Sequence, residues 1–139
     1  MSIRFYVDAD LIGLGKLLVQ VRSDVTYAGD PGGTGVSRRQ RPPCPISYNM
    51  TDAEWISIAA GKGWIVITRD RHMISRPAEL AAIKANSARH VRIDASHHSL
   101  TKWEQLEVVV SQWRRIEQLT SVPGPWIYVV TRSGVRQEL

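Results

Sequence analysis

The stretch WIVITRDRH, residues 64–72, is the part of the sequence on which the interpretation of the rest depends. Its four apolar residues and a threonine are typical of a buried strand, and the run ends in a carboxylate, Asp70, between two arginines. Strands commonly end at polar residues, so Asp70 can be a simple strand terminus. It can also be a functional acid, because ligands of α/β sheets bind beyond the carboxyl ends of the strands.

The composition is that of an ordinary globular protein. The chain has 139 residues, 43% of them hydrophobic and 22% charged, which predicts a single domain over 1–139. The single cysteine excludes an internal disulfide and favours a cytoplasmic protein. No apolar stretch is long enough to predict a membrane span. The net charge of +5 weakly favours a polyanionic partner such as nucleic acid.

Strand-like and helix-like segments alternate along the chain. Strands are predicted at 3–7, 25–27, 64–68, 90–93 and 126–130, and helices at 10–21, 51–61, 77–88 and 101–119. This alternation predicts a mainly parallel sheet with helices on both faces. The last helix carries a stripe of apolar residues that is expected to face the core, with contact to a partner protein as the alternative: Trp103, Leu106, Val109, Val110, Trp113 and Ile116.

Residues 28–50 have a different character from the rest. They are rich in glycine and proline and contain the basic run RRQR, which predicts a long loop within one domain. Arg38, Arg39 and Arg41 of this run are candidates for contacts with nucleic-acid phosphates, with an ordinary solvated surface as the alternative. Asp30, in the same loop, is expected to be solvated.

Aspartates recur where the predicted strands end. Asp8, Asp70 and Asp94 each follow a strand, and Asp52 begins the helix that leads into the WIVIT strand. Gathered carboxylates repel each other, and a hard divalent cation such as Mg²⁺ or Mn²⁺ would offset that repulsion and can activate water against a phosphodiester. The alternative is helix capping, for which Asp8 or Asp10 is suited as an N-cap and Asp52 as a first-turn acid.

Three segments carry a common pattern: FYVDADLIGLGKLL at 5–18, TDAEWISIAAGKGWIVITRDRHM at 51–73, and the helix and strand that follow, through RHVRID at 89–94. Together, over roughly residues 3–94, they resemble a PIN-like domain, and more narrowly the VapC-type toxins of toxin–antitoxin pairs. The shared pattern is a strand ending in Asp, a helix beginning with an acid, and a strand ending in Thr-x-Asp. The resemblance implies a three-layer α/β/α sandwich.

The same resemblance implies a Mg²⁺-dependent endoribonuclease in which Asp8, Asp52 and Asp70 are the catalytic and metal-binding acids. Many PIN-like proteins have a fourth acid. Arginine and histidine follow Asp70 here, so that role falls to Asp94 or to Asp10. Arg69 and Arg71, which flank Asp70, are expected to contact the RNA substrate.

The partners that the resemblance implies are RNA and a cognate antitoxin protein that holds the toxin inactive. The sequence does not fix the oligomeric state, and a homodimer is compatible with it.

Three other functions remain open at this level. Asp8 and Asp10 also have the DxD spacing of haloacid-dehalogenase-like phosphatases, in which the first Asp is the nucleophile, but that chemistry needs a later lysine. A receiver domain would use Asp70 as phosphoacceptor. A PIN-like module that binds RNA or protein without catalysis is the third alternative.

Overall fold

The computed structural model describes residues 2–95 and 98–139, and within these ranges it contains eight strands and four α-helices. The strands are β1 Phe5–Val7, β2 Val25–Tyr27, β3 Gly33–Thr34, β4 Gln40–Arg41, β5 Ile65–Thr68, β6 Arg89–Ile93, β7 Trp126–Thr131 and β8 Gly134–Gln137. The helices are α1 Ile12–Leu18, α2 Asp52–Gly61, α3 Pro77–Ala85 and α4 Lys102–Gln118. None of the helices in these ranges is long and apolar enough to cross a membrane.

The main sheet has six strands in the order β2-β1-β5-β6-β7-β8. The first five run parallel, and β8 pairs antiparallel with β7 through a tight turn. Alternate side chains of each strand point to opposite faces, so each face has its own core. One face of the sheet packs against α1 and α4, and the other packs against α2 and α3. The predicted three-layer α/β/α arrangement is confirmed.

Between β1 and β5 the order in which the chain adds strands to the sheet reverses direction. The chain leaves β1 through α1 to reach β2 on one side, then returns through α2 to β5 on the other side. In parallel sheets the crevice beyond the carboxyl ends of two such strands is the usual ligand site. Val7 pairs with Ile67 in this register, so the residues that follow β1 and β5 lie side by side.

The ends of α2 are fixed by the residues that the sequence predicts. The hydroxyl of Thr51 accepts from the amide of Glu54 at 3.3 Å, and the Glu54 side chain accepts from the amide of Thr51 at 3.4 Å. Gly63 follows the helix with a φ of +72°, a conformation that a residue with a Cβ adopts only at a cost. Both ends of α2 are as predicted, and the chain turns directly into β5.

Three features differ from the sequence-based prediction. The strand β8 is absent from that prediction because GVRQ shows no alternation of apolar and polar residues. The loop 28–50 contains a small hairpin of β3 and β4. It is held by Asp30, which is buried and not solvated, because the guanidinium of Arg41 pairs with it and the hydroxyl of Thr26 donates to it.

The apolar stripe of α4 is only partly in the core. Val109 and Ile116 are buried as expected, but Trp103 and Val110 are exposed. Two glutamines take places on the buried face, where Gln112 donates to the carbonyl of Arg132 at 3.0 Å and Gln105 donates to the carbonyl of Leu100 at 3.3 Å. The prediction that Trp103 and Val110 face the core was wrong. They lie seven residues apart, on a side of the helix that the sheet does not cover.

Candidate active site

The carboxylate of Asp8 lies directly beyond β1, against the end of β5. The amide of Asp8 donates to the carbonyl of Ile67 at 2.9 Å, which fixes its position. Its Oδ1 accepts from the amide of Ala9 at 2.7 Å and caps a short 3-10 helix, Ala9–Leu11. Its Oδ2 accepts from the hydroxyl of Thr68 at 3.1 Å. Asp8 is therefore a helix cap and also a member of an acidic group, so the two interpretations do not exclude each other.

Asp10 shares the hydroxyl of Thr68 with Asp8. Its Oδ2 accepts from Thr68 Oγ1 at 3.2 Å and from the amide of Arg69 at 3.4 Å. A hydroxyl has one proton, so it cannot donate to both carboxylates at once. The other oxygen of Asp10, Oδ1, is buried without a hydrogen-bond partner among the described residues. Leaving a buried carboxylate oxygen unpaired is costly, so the pair is suited to an added cation or proton.

The pKa values of the two acids reflect this crowding. The pKa of Asp8 is raised from 3.8 to about 7, first by burial and then by the negative charge of Asp10, against the hydrogen bonds from Ala9 and Thr68. Burial also raises the pKa of Asp10, although hydrogen bonds from the Arg69 amide and Thr68 oppose it. The negative forms of both acids are thus unfavourable without a counter-charge.

Asp52 and Asp70 line the same cavity as Asp8 and Asp10. This acid cavity has a volume of about 220 Å³ and opens beyond the carboxyl ends of β1 and β5. Asp52 lies in the first turn of α2, where its Oδ1 accepts from the indole nitrogen of Trp55 at 3.0 Å. Four carboxylates from three segments of the chain therefore face one space.

Asp70 is held by two neighbours that follow it in sequence. Its Oδ1 accepts from the amide of His72 at 2.9 Å, and its Oδ2 pairs with the guanidinium of Arg76 at 2.6 Å. Arg76 also pairs with Glu79 at 3.2 Å. Glu79 is buried, and its pKa is raised by burial and by the charges of Asp52 and Asp70. Sequence reasoning missed Glu79, because an acid in the first turn of a helix has a sufficient explanation in the helix dipole.

Comparison with the models of known protein families matches residues 4–95 to a family described as a PIN like domain. The matched range runs through the end of β6 and contains all four acids of the cavity. The chain belongs to the PIN-like domain family. PIN-like domains are typically nucleases. No curated protein and no solved structure matches the chain significantly.

The two candidates for the fourth acid of the PIN-like domain, Asp94 and Asp10, lie in different surroundings. Asp94 follows β6, and its oxygens pair with Arg71 at 2.9 Å and with Arg92 at 3.2 Å. It lines a second cleft and does not line the acid cavity. Asp10 lines both spaces and keeps one unpaired oxygen. The geometry therefore favours Asp10 over Asp94 for the fourth position.

The second cleft of the PIN-like domain adjoins the acid cavity and carries charges of both signs, because three aspartates and two arginines line it. It has a volume of about 580 Å³, and Asp10 and Asp70 line both spaces. Arg69, Arg71 and His72 supply exposed side chains to it. A phosphate chain lying in this cleft would pass the acids, which is consistent with the predicted substrate role of Arg69 and Arg71.

The three loop arginines of the PIN-like domain are in different surroundings. Arg38 and Arg39 are exposed near the tip of the β3–β4 hairpin. Arg41 is buried, and its guanidinium pairs with Asp30 and donates to the carbonyl of Val25 at 3.1 Å. Arg41 is therefore placed where it holds the hairpin to the sheet and cannot reach a phosphate. The predicted RNA contact is left to Arg38 and Arg39.

The donor set fits a magnesium ion that keeps most of its waters. Within residues 2–95 and 98–139, no three His, Cys, Asp or Glu side chains are arranged to hold a metal ion as they stand. Mg²⁺ does not need such a cage, because it is commonly bound by one or two carboxylates together with waters and substrate phosphates. Asp8 and Asp10 are two adjacent carboxylates of this kind, since the hydroxyl of Thr68 lies within 3.2 Å of both.

Proposed function

We propose that the protein is a metal-dependent endoribonuclease that cleaves single-stranded RNA in the acid cavity. The observation that carries the proposal is the convergence of Asp8, Asp10, Asp52 and Asp70 on one cavity at the switch point of the sheet, in a chain of the PIN-like family. Mg²⁺ is the expected cofactor, with Mn²⁺ as an alternative. The single cysteine is consistent with a cytoplasmic enzyme.

Each residue of the site has a distinct part in this proposal. Asp8 and Asp10 would hold the metal, and Asp52 would add its negative charge in the same cavity. The hydroxyl of Thr68 lies 3.1 Å from Asp8 and 3.2 Å from Asp10 and would donate to one of the two carboxylates. The bound metal would supply a nucleophile from water and offset the charge that develops on the phosphate. Arg69 and Arg71 would position the RNA backbone in the second cleft. Asp70 would complete the acidic group after exchanging its contact with Arg76.

Incubation of the purified protein with a mixed pool of single-stranded RNA tests this function directly. Internal cleavage should occur with Mg²⁺ and stop in chelator. The absence of cleavage under both conditions would instead favour the non-catalytic PIN-like module. Cleavage that is equally fast in chelator would exclude metal dependence.

Magnesium should also stabilise the folded protein when no substrate is present. A ligand that binds only the folded state adds RT ln(1 + [L]/Kd), which is about 2.7 kcal/mol at a hundredfold excess over Kd. We therefore expect the melting temperature to rise with Mg²⁺ in wild type and to rise much less in Asp10→Asn. Thermal melts in chelator and in Mg²⁺ measure this. A wild-type melt that Mg²⁺ leaves unchanged up to millimolar concentration would exclude a preformed metal site.

Arg38 and Arg39 provide a test of the RNA interface. Changing both to Ala should weaken RNA binding and flatten its dependence on salt, by about 0.7 to 0.9 in the slope of log K against log [salt] for each lost contact. Binding titrations at several salt concentrations measure the slope. The matched control is Arg114→Ala with Arg115→Ala, which removes the same charge from an exposed part of α4. Equal slopes in both double variants would assign Arg38 and Arg39 to ordinary surface.

The phosphatase and receiver alternatives each require a lysine near the reacting aspartate. The residues that line the acid cavity and the second cleft include no lysine in the described part of the chain. Hydrolysis of small phosphomonoesters without any effect on RNA would nevertheless reinstate the phosphatase.

We further propose that the protein is the toxin of a type II toxin–antitoxin pair. The narrower resemblance to VapC-type toxins supports this, and so does the exposed apolar pair Trp103 and Val110 on α4, which suits a protein partner such as the antitoxin. A neighbouring reading frame for a small DNA-binding protein, whose product restores growth when both are expressed, would be the expected result. Sedimentation of the purified chain would separate a homodimer from a monomer.

A further inference from the structure

An exposed aromatic side chain lies at the rim of the acid cavity. Tyr48 is 73% exposed, and it lines the cavity together with Asp8, Asp10, Asp52 and Asp70. Four other large apolar side chains in the described ranges are also exposed, and none of them lines this cavity: Val21, Ile74, Trp103 and Val110. The position of Tyr48 beside the acids is therefore not a general feature of the surface.

The backbone that carries Tyr48 is well anchored. Ile46, two residues earlier, is buried, and its carbonyl accepts from the amide of Gly29 at 2.8 Å. The ring of Tyr48 lies against Gly29, where a Cβ would fall 3.1 Å from Cδ1 and 3.3 Å from Cε1 of the ring. The segment then turns, with the amide of Met50 donating to the carbonyl of Ser47 at 3.3 Å, and continues into α2.

The other aromatic residues that line the acid cavity are buried, although Tyr48 is not. Tyr6 packs against Trp55 with ring centroids 5.8 Å apart and against Trp64 at 6.2 Å. All three belong to the core beneath α2 and α3. Tyr6 and Trp55 line the acid cavity as Tyr48 does, but only Tyr48 is exposed and therefore accessible to a ligand.

We propose that Tyr48 stacks on a nucleobase of single-stranded RNA and thereby positions the adjacent phosphate at the acids. This inference rests on the proposed nuclease function and adds a substrate-positioning residue to it. A nucleobase is neutral and planar, so it can approach a rim that the carboxylates make unfavourable for a phosphate. Aromatic rings held at fixed positions are a general means of binding unpaired bases, and such stacking is largely independent of base identity.

Binding of a fluorescently labelled, random-sequence single-stranded RNA in chelator tests the proposal without any need for cleavage. Tyr48→Ala should weaken binding by roughly 5-fold to 100-fold, which is the range expected for the loss of one stacked base. The salt slope should stay unchanged, because no phosphate contact is removed. Tyr48→Phe should bind like wild type, and Trp103→Ala is the control for loss of an exposed aromatic elsewhere.

Two further comparisons separate stacking from apolar contact. In wild type, replacing ordinary RNA by RNA with abasic nucleotides should weaken binding about as much as the Tyr48→Ala substitution does. In Tyr48→Ala, the same replacement should cause no further loss of affinity. Tyr48→Leu should behave like the Ala variant. Stacking would be overturned if Tyr48→Leu bound RNA as tightly as wild type does. It would also be overturned if abasic RNA lost the same affinity for Tyr48→Ala as for wild type. Either result would favour a protein-docking role for Tyr48. Failure of wild type to bind RNA in a base-dependent way would overturn stacking as well.

The same proteins distinguish failure of this inference from failure of the proposed function. RNA cleavage with Mg²⁺ and an unchanged KM in Tyr48→Ala would retain the nuclease and refute the stacking residue. Base-dependent binding that needs Tyr48, without cleavage by wild type, would retain the stacking residue and refute the nuclease.

Discussion

Asn at Asp8, Asp52 or Asp70 is expected to lower the rate of RNA cleavage by about two orders of magnitude or more while the fold is retained. Asn keeps the size of each side chain and one acceptor oxygen, but it lacks the charge that would hold a divalent cation. At Asp52, for example, the remaining oxygen can still accept from the indole of Trp55. The measurement is the rate of cleavage in Mg²⁺, with the melting temperature as the check on folding.

The control for this prediction is Glu107→Gln, which removes a charge from an acid of α4 that lines neither the acid cavity nor the second cleft. It should cleave at the wild-type rate. Full activity in Asp70→Asn would show that Asp70 is only the end of its strand.

The fourth acid can be assigned in the same assay. Asp10→Asn should lose as much activity as Asp8→Asn, because both carboxylates face the acid cavity. Asp94→Asn should retain more activity, because Asp94 is paired with Arg71 and Arg92 outside that cavity. The reverse order would assign the role to Asp94.

The stability of the metal-free protein should depend on pH through Asp8. The pKa of Asp8 is raised from 3.8 to about 7 in the folded state, so between about pH 4 and pH 7 the folded state keeps a proton that the unfolded state has released. The contribution of Asp8 to the free energy of unfolding therefore falls as pH rises through this window, by roughly 4 kcal/mol in total. Above about pH 7 it stays low, and below about pH 4 it no longer changes.

Asp8→Asn should remove this pH dependence, and in chelator at pH 8 it should be more stable than wild type. Its Oδ1 can still accept from the amide of Ala9, and its amide group can donate to Thr68, whose own proton is then free for Asp10. Urea unfolding of both proteins in chelator, from pH 4 to pH 8, gives the difference as a function of pH. Identical curves for the two proteins would contradict a raised pKa of a buried Asp8 and leave Asp8 as an ordinary helix cap.

Asp24→Asn is the matched control for the direction in which neutralising a buried carboxylate changes the stability of the protein. Asp24 is also buried, but the pKa of its carboxyl is lowered, because hydrogen bonds from Arg22 and Arg4 outweigh the effect of burial. Neutralising it should destabilise the protein at neutral pH. Stabilisation by both substitutions would indicate a general effect of removing negative charge.

The convergence of the acids of the site on one edge of the sheet was predictable because its signal is local. Asp8 and Asp70 each follow a short apolar strand, and parallel strands bring their carboxyl ends to one edge of the sheet. The residues that hold these acids were less predictable. The contact of Glu79 with Arg76 and their joint position beside Asp70 depend on how α3 lies against the cavity, which hydrophobic periodicity does not encode.

The sequence by itself determined the alternation of strands and helices, the capped start of α2 and the family, because each depends on the spacing of neighbouring residues. Only the tertiary structure decided which polar and apolar side chains are buried. Arg41 became part of a buried ion pair and Trp103 remained exposed, although their local patterns indicated the opposite. The physical reason is that burial depends on what packs over a residue. Arg41 is buried because Asp30 and the carbonyl of Val25 bind its guanidinium, whereas Trp103 is exposed because the sheet does not cover its side of α4. The choice of Asp10 over Asp94 has the same origin in part, because Arg71, which pairs with Asp94, is brought to it by the pairing of β5 with β6.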